Sequence, residues 1–214
     1  MSPSHHPAQP IKLHTFALSG HCHRVQLFAS LLNLPVTLHP VDLAKGAHKQ
    51  ADFLALNPFG QVPVIEDGDV ALADSNAILV YLASRYDTSR QWLPGDPVLA
   101  AQVQRWLSAA AGPLAYGAAA VRVALLFKRN CNQEELLART HTLLAVMEQS
   151  LQPGAFLVGG LPTLADVALY SYVFVAPEGN FSLAPFPNVL AWLARIEALP
   201  GFVPMPVTAI GLRG

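Results

Sequence analysis

The spacing of apolar side chains changes character near residue 86. Ahead of that point, short alternating runs are interleaved with helical ones. Ile11 to Phe16 alternates apolar and polar positions, the two-residue period of a half-buried strand. From Cys22 to Leu32, Val25, Phe28, Leu31 and Leu32 fall on one helical face, and Asn33 with Pro35 stops that helix. Val36 to Leu43 reads as a second strand, so the three elements form a βαβ unit with a parallel pair. Two further β-rich runs, Val62 to Glu66 and Val70 to Asp74, flank Asp67-Gly68-Asp69, a strong hairpin signal. Ser75 reads as the cap of a helix carrying Ile78, Leu79 and Leu82.

Beyond Tyr86 the pattern is helical throughout. Asp96-Pro97 places a capping side chain before a proline at the first helical position. The helix that follows is expected to be kinked or divided around Gly112-Pro113. Asn132 with Glu135 opens a helix to about Gln149, and Thr163 with Asp166 is a capping box for another, through Tyr172 or beyond. Val189 to Leu199 supplies a last amphipathic helix, stopped by Pro200-Gly201. The expected organisation is a flexible tail over 1–10, an α/β domain over 11–86 and a linker over 87–96. An all-helical domain over 97–205 and a tail over 206–214 complete it.

Composition narrows the function classes. Of 214 residues, 52% are hydrophobic and 13% charged, so there is ample apolar surface to bury and the bulk of the chain is not disordered. Thirteen basic against fourteen acidic side chains give a formal charge of −1, with no electrostatic footprint for nucleic acid or an anionic membrane. The most apolar stretch, Trp106 to Val121, reads as too short and too broken for a bilayer span and hence as a buried core helix. Met1 to Pro10 has neither a basic start nor an apolar run and does not read as a secretory signal. Two cysteines, Cys22 and Cys131, are too few for a disulfide framework and point to a reducing, cytoplasmic setting. The eight histidines sit at no metal-ligand spacing with carboxylates or thiols, so no metal is expected.

Four features of the first domain bear on chemistry. Ala17-Leu18-Ser19-Gly20-His21-Cys22 is a polar turn leading into a helix, where free amides and the helix dipole favour negative charge. Ser19 could bind an anion there or merely cap the helix. In Asn57-Pro58-Phe59-Gly60-Gln61-Val62-Pro63-Val64, a cis Val62–Pro63 bond would turn the Val62 backbone outward to pair with an extended peptide. An ordinary edge-strand proline is the alternative. Asp74-Ser75 joins a strand end to a helix start and suits a head group with both an ammonium and a carboxylate, although Ser75 also serves as a cap. Lys45-Gly46-Ala47-His48-Lys49 could bind a second carboxylate or be solvated surface.

Over about residues 11 to 204 the chain resembles the cytosolic glutathione S-transferases, of the theta- or delta-like or related bacterial classes. The resemblance rests on Val62-Pro63, on Asp74-Ser75-Asn76-Ala77-Ile78-Leu79-Val80-Tyr81-Leu82, and on Thr163-Leu164-Ala165-Asp166. It implies a thioredoxin-like N-terminal domain (βαβ-α-ββα) that binds glutathione as co-substrate, without a metal. It also implies an all-α C-terminal domain shaping the electrophile pocket, and a cytoplasmic homodimer. By resemblance Ser19 takes the catalytic serine position. His48, Gln61, Val62 with Pro63, and Asp74 with Ser75 take the glutathione-binding ones. Asp74 departs from the family's more usual Glu or Gln, and Gly20-His21 departs in the loop, which brings His21 and Cys22 in as thiol-side contacts. Thr163 and Asp166 match a folding motif. Tyr116, Arg122 and Phe127 are candidates for the electrophile pocket, from position alone, with a helical salt bridge as the alternative for Arg122.

The expected reaction is attack of a glutathione thiolate, stabilised by Ser19 and the start of the first helix, on a small hydrophobic electrophile. Two other readings stand beside it. One is a glutathione-binding scaffold without turnover, since a fold does not fix a function. The other is glutathione-dependent disulfide or peroxide reduction, or isomerisation, with Cys22 as a participating thiol.

Overall fold

The computed structural model describes residues 6–214, so half of the expected N-terminal tail, residues 1–5, lies outside the described residues. The chain divides into two compact units. The first runs through Arg90 and takes in Pro200–Pro204; the second comprises Gln91–Leu199 and Met205–Gly214.

In the first unit, β1 (Ile11–Thr15) is followed by α1 (Gly20–Leu31) and β2 (Val36–Pro40), then a 3-10 turn (Ala47–Lys49) and α2 (Ala51–Leu56). The hairpin β3 (Val64–Asp67) and β4 (Val70–Ala73) and helix α3 (Ser75–Tyr86) complete it. The strands lie in the order β2-β1-β3-β4, with β1 parallel to β2 and antiparallel to β3. The expected βαβ unit and hairpin are both present, and the unit has the thioredoxin-like arrangement. The second strand stops at Pro40, short of the expected Leu43. Proline adds no ladder donor, and Asp42 then closes a turn by accepting from the Lys45 amide at 3.0 Å.

Alternation along β1 sorts the layers. Ile11 and Leu13 are fully buried, whereas His14 points the other way and meets the Phe53 ring of α2 edge-on. Phe53 completes a small core with Val41 and Val64 on that face. Helices α1 and α3 pack against each other. The segment Pro200–Pro204 seats on α1, where the buried His23 meets the Val203 carbonyl at 2.9 Å. His6 to Gln9, expected as part of a loose tail, instead line a cleft with the β3–β4 turn, Tyr81, Arg85 and Tyr86.

The second unit is helical: α4 (Pro97–Ala109), a π-helical segment (Ala110–Ala119), α5 (Ala120–Leu126), α6 (Gln133–Leu151), α7 (Leu164–Phe174) and α8 (Pro187–Glu197), with short 3-10 turns at Ala176–Gly179 and Gly211–Arg213. The irregularity expected around Gly112-Pro113 is present as a π-helical segment and not as a gap in the helix. Pro113 has no amide hydrogen for a regular turn, and the helix widens to π geometry around it, the local adjustment that carries it through. Pro97–Leu126 is therefore one helix of 30 residues, by length and composition long and apolar enough to cross a membrane. The expectation that this stretch is too short and broken for a span is corrected on length. The helix does supply core, through the buried Val103, Trp106, Leu107, Leu114 and Val121. Gly117 lets it approach α6 closely, since a Cβ there would stand 3.0 Å from the Thr140 hydroxyl.

Two buried polar centres fix this unit. Asp166 closes the expected capping box with Thr163, accepting from its amide at 2.8 Å. Its other oxygen takes the Leu157 amide and the Trp192 indole N–H of α8. Glu178 accepts from Arg122 Nε at 2.8 Å and from the amide and hydroxyl of Thr208. Residues 206–214, expected as a tail, are thereby tied to the body of the unit.

Arg122 and Glu178 have essentially no exposure. Breaking a buried pair strands a charge, at a cost of about 3–5 kcal/mol. Glu178→Ala is expected to lower the free energy of unfolding by about that much in chemical denaturation, while the double change Arg122→Met with Glu178→Leu recovers most of it. A single variant as stable as the parent contradicts this.

Candidate functional site

A cleft of about 490 Å³ opens in the first unit between the α2–β3 connection and the start of α3. Its walls include Gln61, Val62 and Pro63 on one side, Asp74 and Ser75 on the other, and His21 from α1. Five of the residues picked out for a peptide ligand, Gln61, Val62, Pro63, Asp74 and Ser75, thus share one concavity.

The loop that forms the first wall is held from within. The Asn57 side chain accepts from the Phe59 amide at 3.1 Å and donates to the Gln61 carbonyl at 2.8 Å. Lys49 caps the same loop by donating to the carbonyls of Phe59 and Gly60. Gly60 has φ of 58°, and any Cβ there would strike the Lys49 ammonium and the His48 carbonyl. The Val62–Pro63 bond is cis, and pairing of β3 with its neighbours begins only at Val64. The backbone of Val62 therefore stands beside the cleft, outside the sheet ladder.

At the second wall the cap is Asp74, not Ser75. Asp74 adopts φ of 70°, and its Oδ1 accepts from the amides of Asn76 and Ala77, both at 2.9 Å. Ser75 is the first residue of α3 and is buried, its hydroxyl 3.3 Å from His21 Nδ1 and 3.4 Å from an Arg24 nitrogen. Arg24 is wholly buried and donates to Asn76 Oδ1 at 2.8 Å.

Ser19 caps α1, its hydroxyl oxygen accepting from the Cys22 amide at 3.3 Å. The same hydroxyl also hydrogen-bonds the Cys22 thiol, so donation to a ligand requires its hydrogen to turn from that sulfur. Cys22 is buried, its sulfur accepting from the Phe16 amide, and burial pushes the thiol pKa up. A buried thiol so placed is a poor nucleophile, which weighs against Cys22 as a redox participant. Burial, with a smaller contribution from the Arg24 charge, holds the His21 pKa down at about 3, so its imidazole is neutral near pH 7.

Other expected residues lie elsewhere. Among the basic run, Lys45 pairs with Asp42 at the surface and Lys49 serves the loop carbonyls, so neither is left to form a cationic cluster. His48 is half-buried in the 3-10 turn and its Nδ1 is buried without a hydrogen-bond partner. In the helical unit, Tyr116 is 66% exposed and lines an apolar groove of about 510 Å³ with Trp106, Pro113, Leu143 and Val146. Phe127 lies outside that groove, packed under the Arg129 guanidinium. Arg122 is corrected as a pocket candidate, because its guanidinium is buried against Glu178. Among the described residues no group of three or more His, Cys, Asp or Glu could hold a metal ion.

Sequence reasoning missed Arg24 and the loop role of Asn57. Asn57-Pro58 is a turn dipeptide and signals the latter, whereas an arginine on an apolar helical stretch gives no hint of full burial.

Protein-family models match in two places, "Glutathione S-transferase, N-terminal domain" over residues 18–85 and "Glutathione S-transferase, C-terminal domain" over residues 111–200. Glutathione S-transferase 3 of Zea mays is 33% identical, the match covering 92% of this chain and 96% of that protein. Glutathione S-transferase theta-1 of Bos taurus is 34% identical, over 90% and 85% respectively. A crystal structure of a glutathione S-transferase from Pseudomonas fluorescens aligns with a TM-score of 0.87 at 35% identity, over 93% of this chain and all of that one.

The histidines around α1 give stability a pH dependence. Burial, the larger cause in both, lowers the His21 pKa to about 3 and that of His23 to about 4. The unfolded chain protonates both near 6.5, so the folded state loses stability as pH falls from about 6.5 towards those lower values. The free energy of unfolding is expected to be lower at pH 5 than at pH 7.5 by a few kcal/mol, roughly 1.4 per pKa unit. His23→Gln, which can still donate to the Val203 carbonyl, should show a shallower fall; an unchanged slope contradicts the assignment.

Proposed function

This chain belongs to the glutathione S-transferase family, and we propose that it binds glutathione in the cleft of the first unit and transfers it to a small hydrophobic electrophile. The observation that carries this reading is the convergence, in one cleft, of an unladdered backbone pair at Val62 with the start of α3 at Asp74 and Ser75. An extended peptide lies along Val62 as an added strand would, exchanging bonds with its N–H and C=O. At the γ-glutamyl end, the hydroxyl and amide of Ser75 receive the carboxylate at the helix start, while Asp74 Oδ2, beside an Oδ1 already engaged by the next two amides, takes the ammonium. Gln61 and the unsatisfied His48 Nδ1 are the groups for the glycyl carboxylate.

The sulfur is then directed to the start of α1. A free thiol titrates near 8.5 and is mostly protonated at neutral pH. Donation from the Ser19 hydroxyl and the helix dipole favours the thiolate, and a shift of two units corresponds to about 2.7 kcal/mol. His21, neutral and in the cleft wall, offers a polar contact that does not compete as a base. The electrophile is a small apolar compound, for which Tyr116 and Phe127 remain the candidate contacts in the helical unit. The reaction class is a detoxifying conjugation. Two free cysteines, one buried and one exposed, suit the cytoplasm.

Ser19→Ala is expected to lower kcat about 10- to 100-fold with an aromatic halide, with less than about a threefold change in glutathione Kd, and to raise the apparent pKa of kcat by about two units. Unchanged turnover reassigns the thiolate donor. Glutathione binding without conjugation of any of several electrophile types, in the parent protein, identifies a scaffold instead.

We propose a homodimer as well, supported by the family and by large apolar side chains left in solvent, Phe59 at 81% exposure among them. Sedimentation velocity is expected to give about twice the 22.9 kDa chain mass. A monomer at micromolar concentration contradicts it.

A further inference from the structure

Arg24 is buried beneath the start of α3. It is 0% exposed, and its Nη1 donates both to Asn76 Oδ1 at 2.8 Å and to Ser75 Oγ at 3.4 Å. Ser75 and Asn76 are the first two residues of α3. A helix start carries the positive end of the macrodipole, where cations are disfavoured and anions preferred. The Asp74 carboxylate caps this end from the exposed side, and the buried guanidinium adds its positive potential from the other side, in a medium that screens poorly. The guanidinium sits under the cleft, because Ser75 both contacts Arg24 and lines the cavity.

The hydrogen-bond accounting gives Arg24 a second effect. A hydroxyl has one hydrogen and two lone pairs. Arg24 has no acceptor capacity, so its contact occupies a lone pair of Ser75 Oγ. The hydrogen of Ser75 is left for His21 Nδ1, at 3.3 Å, or for a group arriving in the cleft.

Resting on the glutathione reading above, we propose that Arg24 is a positioning and specificity-determining residue for the γ-glutamyl end of the ligand. It turns the Ser75 hydroxyl outward as a donor and supplies, from beneath the cleft floor, the positive charge that selects a carboxylate over a neutral group. When the carboxylate docks, the Ser75 hydrogen passes from His21 Nδ1 to a carboxylate oxygen, and no covalent bond changes. His21 is suited to this exchange, because Arg24 also helps to keep its imidazole neutral and accepting.

The test compares two ligands by calorimetry: glutathione, and its analogue in which the γ-glutamyl α-carboxylate is a carboxamide. The parent protein is expected to prefer glutathione by about tenfold or more, as a close buried charge would require. Arg24→Gln, which keeps an amide donor and loses the charge, should shrink the preference to about twofold, and Arg24→Lys should retain most of it. A merely structural role would weaken both ligands equally and leave their ratio unchanged. A parent protein indifferent to the amide overturns the proposal without any variant, so instability of Arg24→Gln does not protect it. Glutathione binding with a preference that Arg24→Gln leaves intact overturns the role of Arg24 alone. Failure of the parent to bind glutathione at all overturns the functional reading beneath it.

Discussion

The contact on which the candidate site depends is the seam where Arg24 of α1 meets the first turn of α3. The second wall of the cleft is referred to it. Ser75 is buried against the guanidinium, Asn76 is fixed by it, and Asp74 must then take an unusual backbone conformation to cap the same helix. A buried charge tolerates little displacement of its partners, since the alternative is desolvation without compensation. The seam therefore sets the start of α3 to a precision that apolar packing between the two helices would not impose.

The groups that cap the two helix starts are also the ones proposed for the ligand. At α1 the Ser19 oxygen accepts from the Cys22 amide, and the hydroxyl also meets the Cys22 thiol. At α3 one Asp74 oxygen takes two amides, and its second oxygen stays on the exposed side. At α3 the cap consumes two amides and one carboxylate oxygen, which leaves the second oxygen for an ammonium and Ser75 for a carboxylate. The structural role that made Ser19 and Asp74-Ser75 ambiguous in the sequence is thus a precondition for the chemical one. A side chain locked by a cap is already oriented when the ligand arrives, and less conformational entropy is lost on binding.

Much of this was legible because the relevant signals are local. The alternation of Ile11–Thr15, the Asp-Gly hairpin and the Thr163/Asp166 box each depend on neighbours within a few residues, and each element formed where its pattern lies. Misreadings came where a distant or competing contact decides. Pro113 marks an irregularity, but that it takes π geometry without dividing the helix is decided where the segment packs against α6 and α7. Arg122 sits on an apolar helix like a pocket cation, but its partner Glu178 is 56 residues away and no period announces it. Lys45 and Lys49 look like a cationic patch until the fold supplies Asp42 and the carbonyls of Phe59 and Gly60. Full burial of Arg24 follows from the packing of α1 on α3, which the pattern of either helix alone does not reveal.

These corrections change where the positive character of the site comes from. Histidine and lysine were the obvious sources, but His21 is neutral and both lysines of the run are engaged with other groups. What remains, beside Gln61 and His48, is two helix starts, the backbone at Val62, and one guanidinium beneath the surface. Backbone dipoles do not titrate, and arginine holds its proton at any pH the fold survives. Attraction built from such groups is constant with pH across the range in which the imidazoles gain their protons. The pH sensitivity of the first unit therefore enters through its folding, by way of His21 and His23, and the pH sensitivity of its chemistry through the sulfur of the ligand.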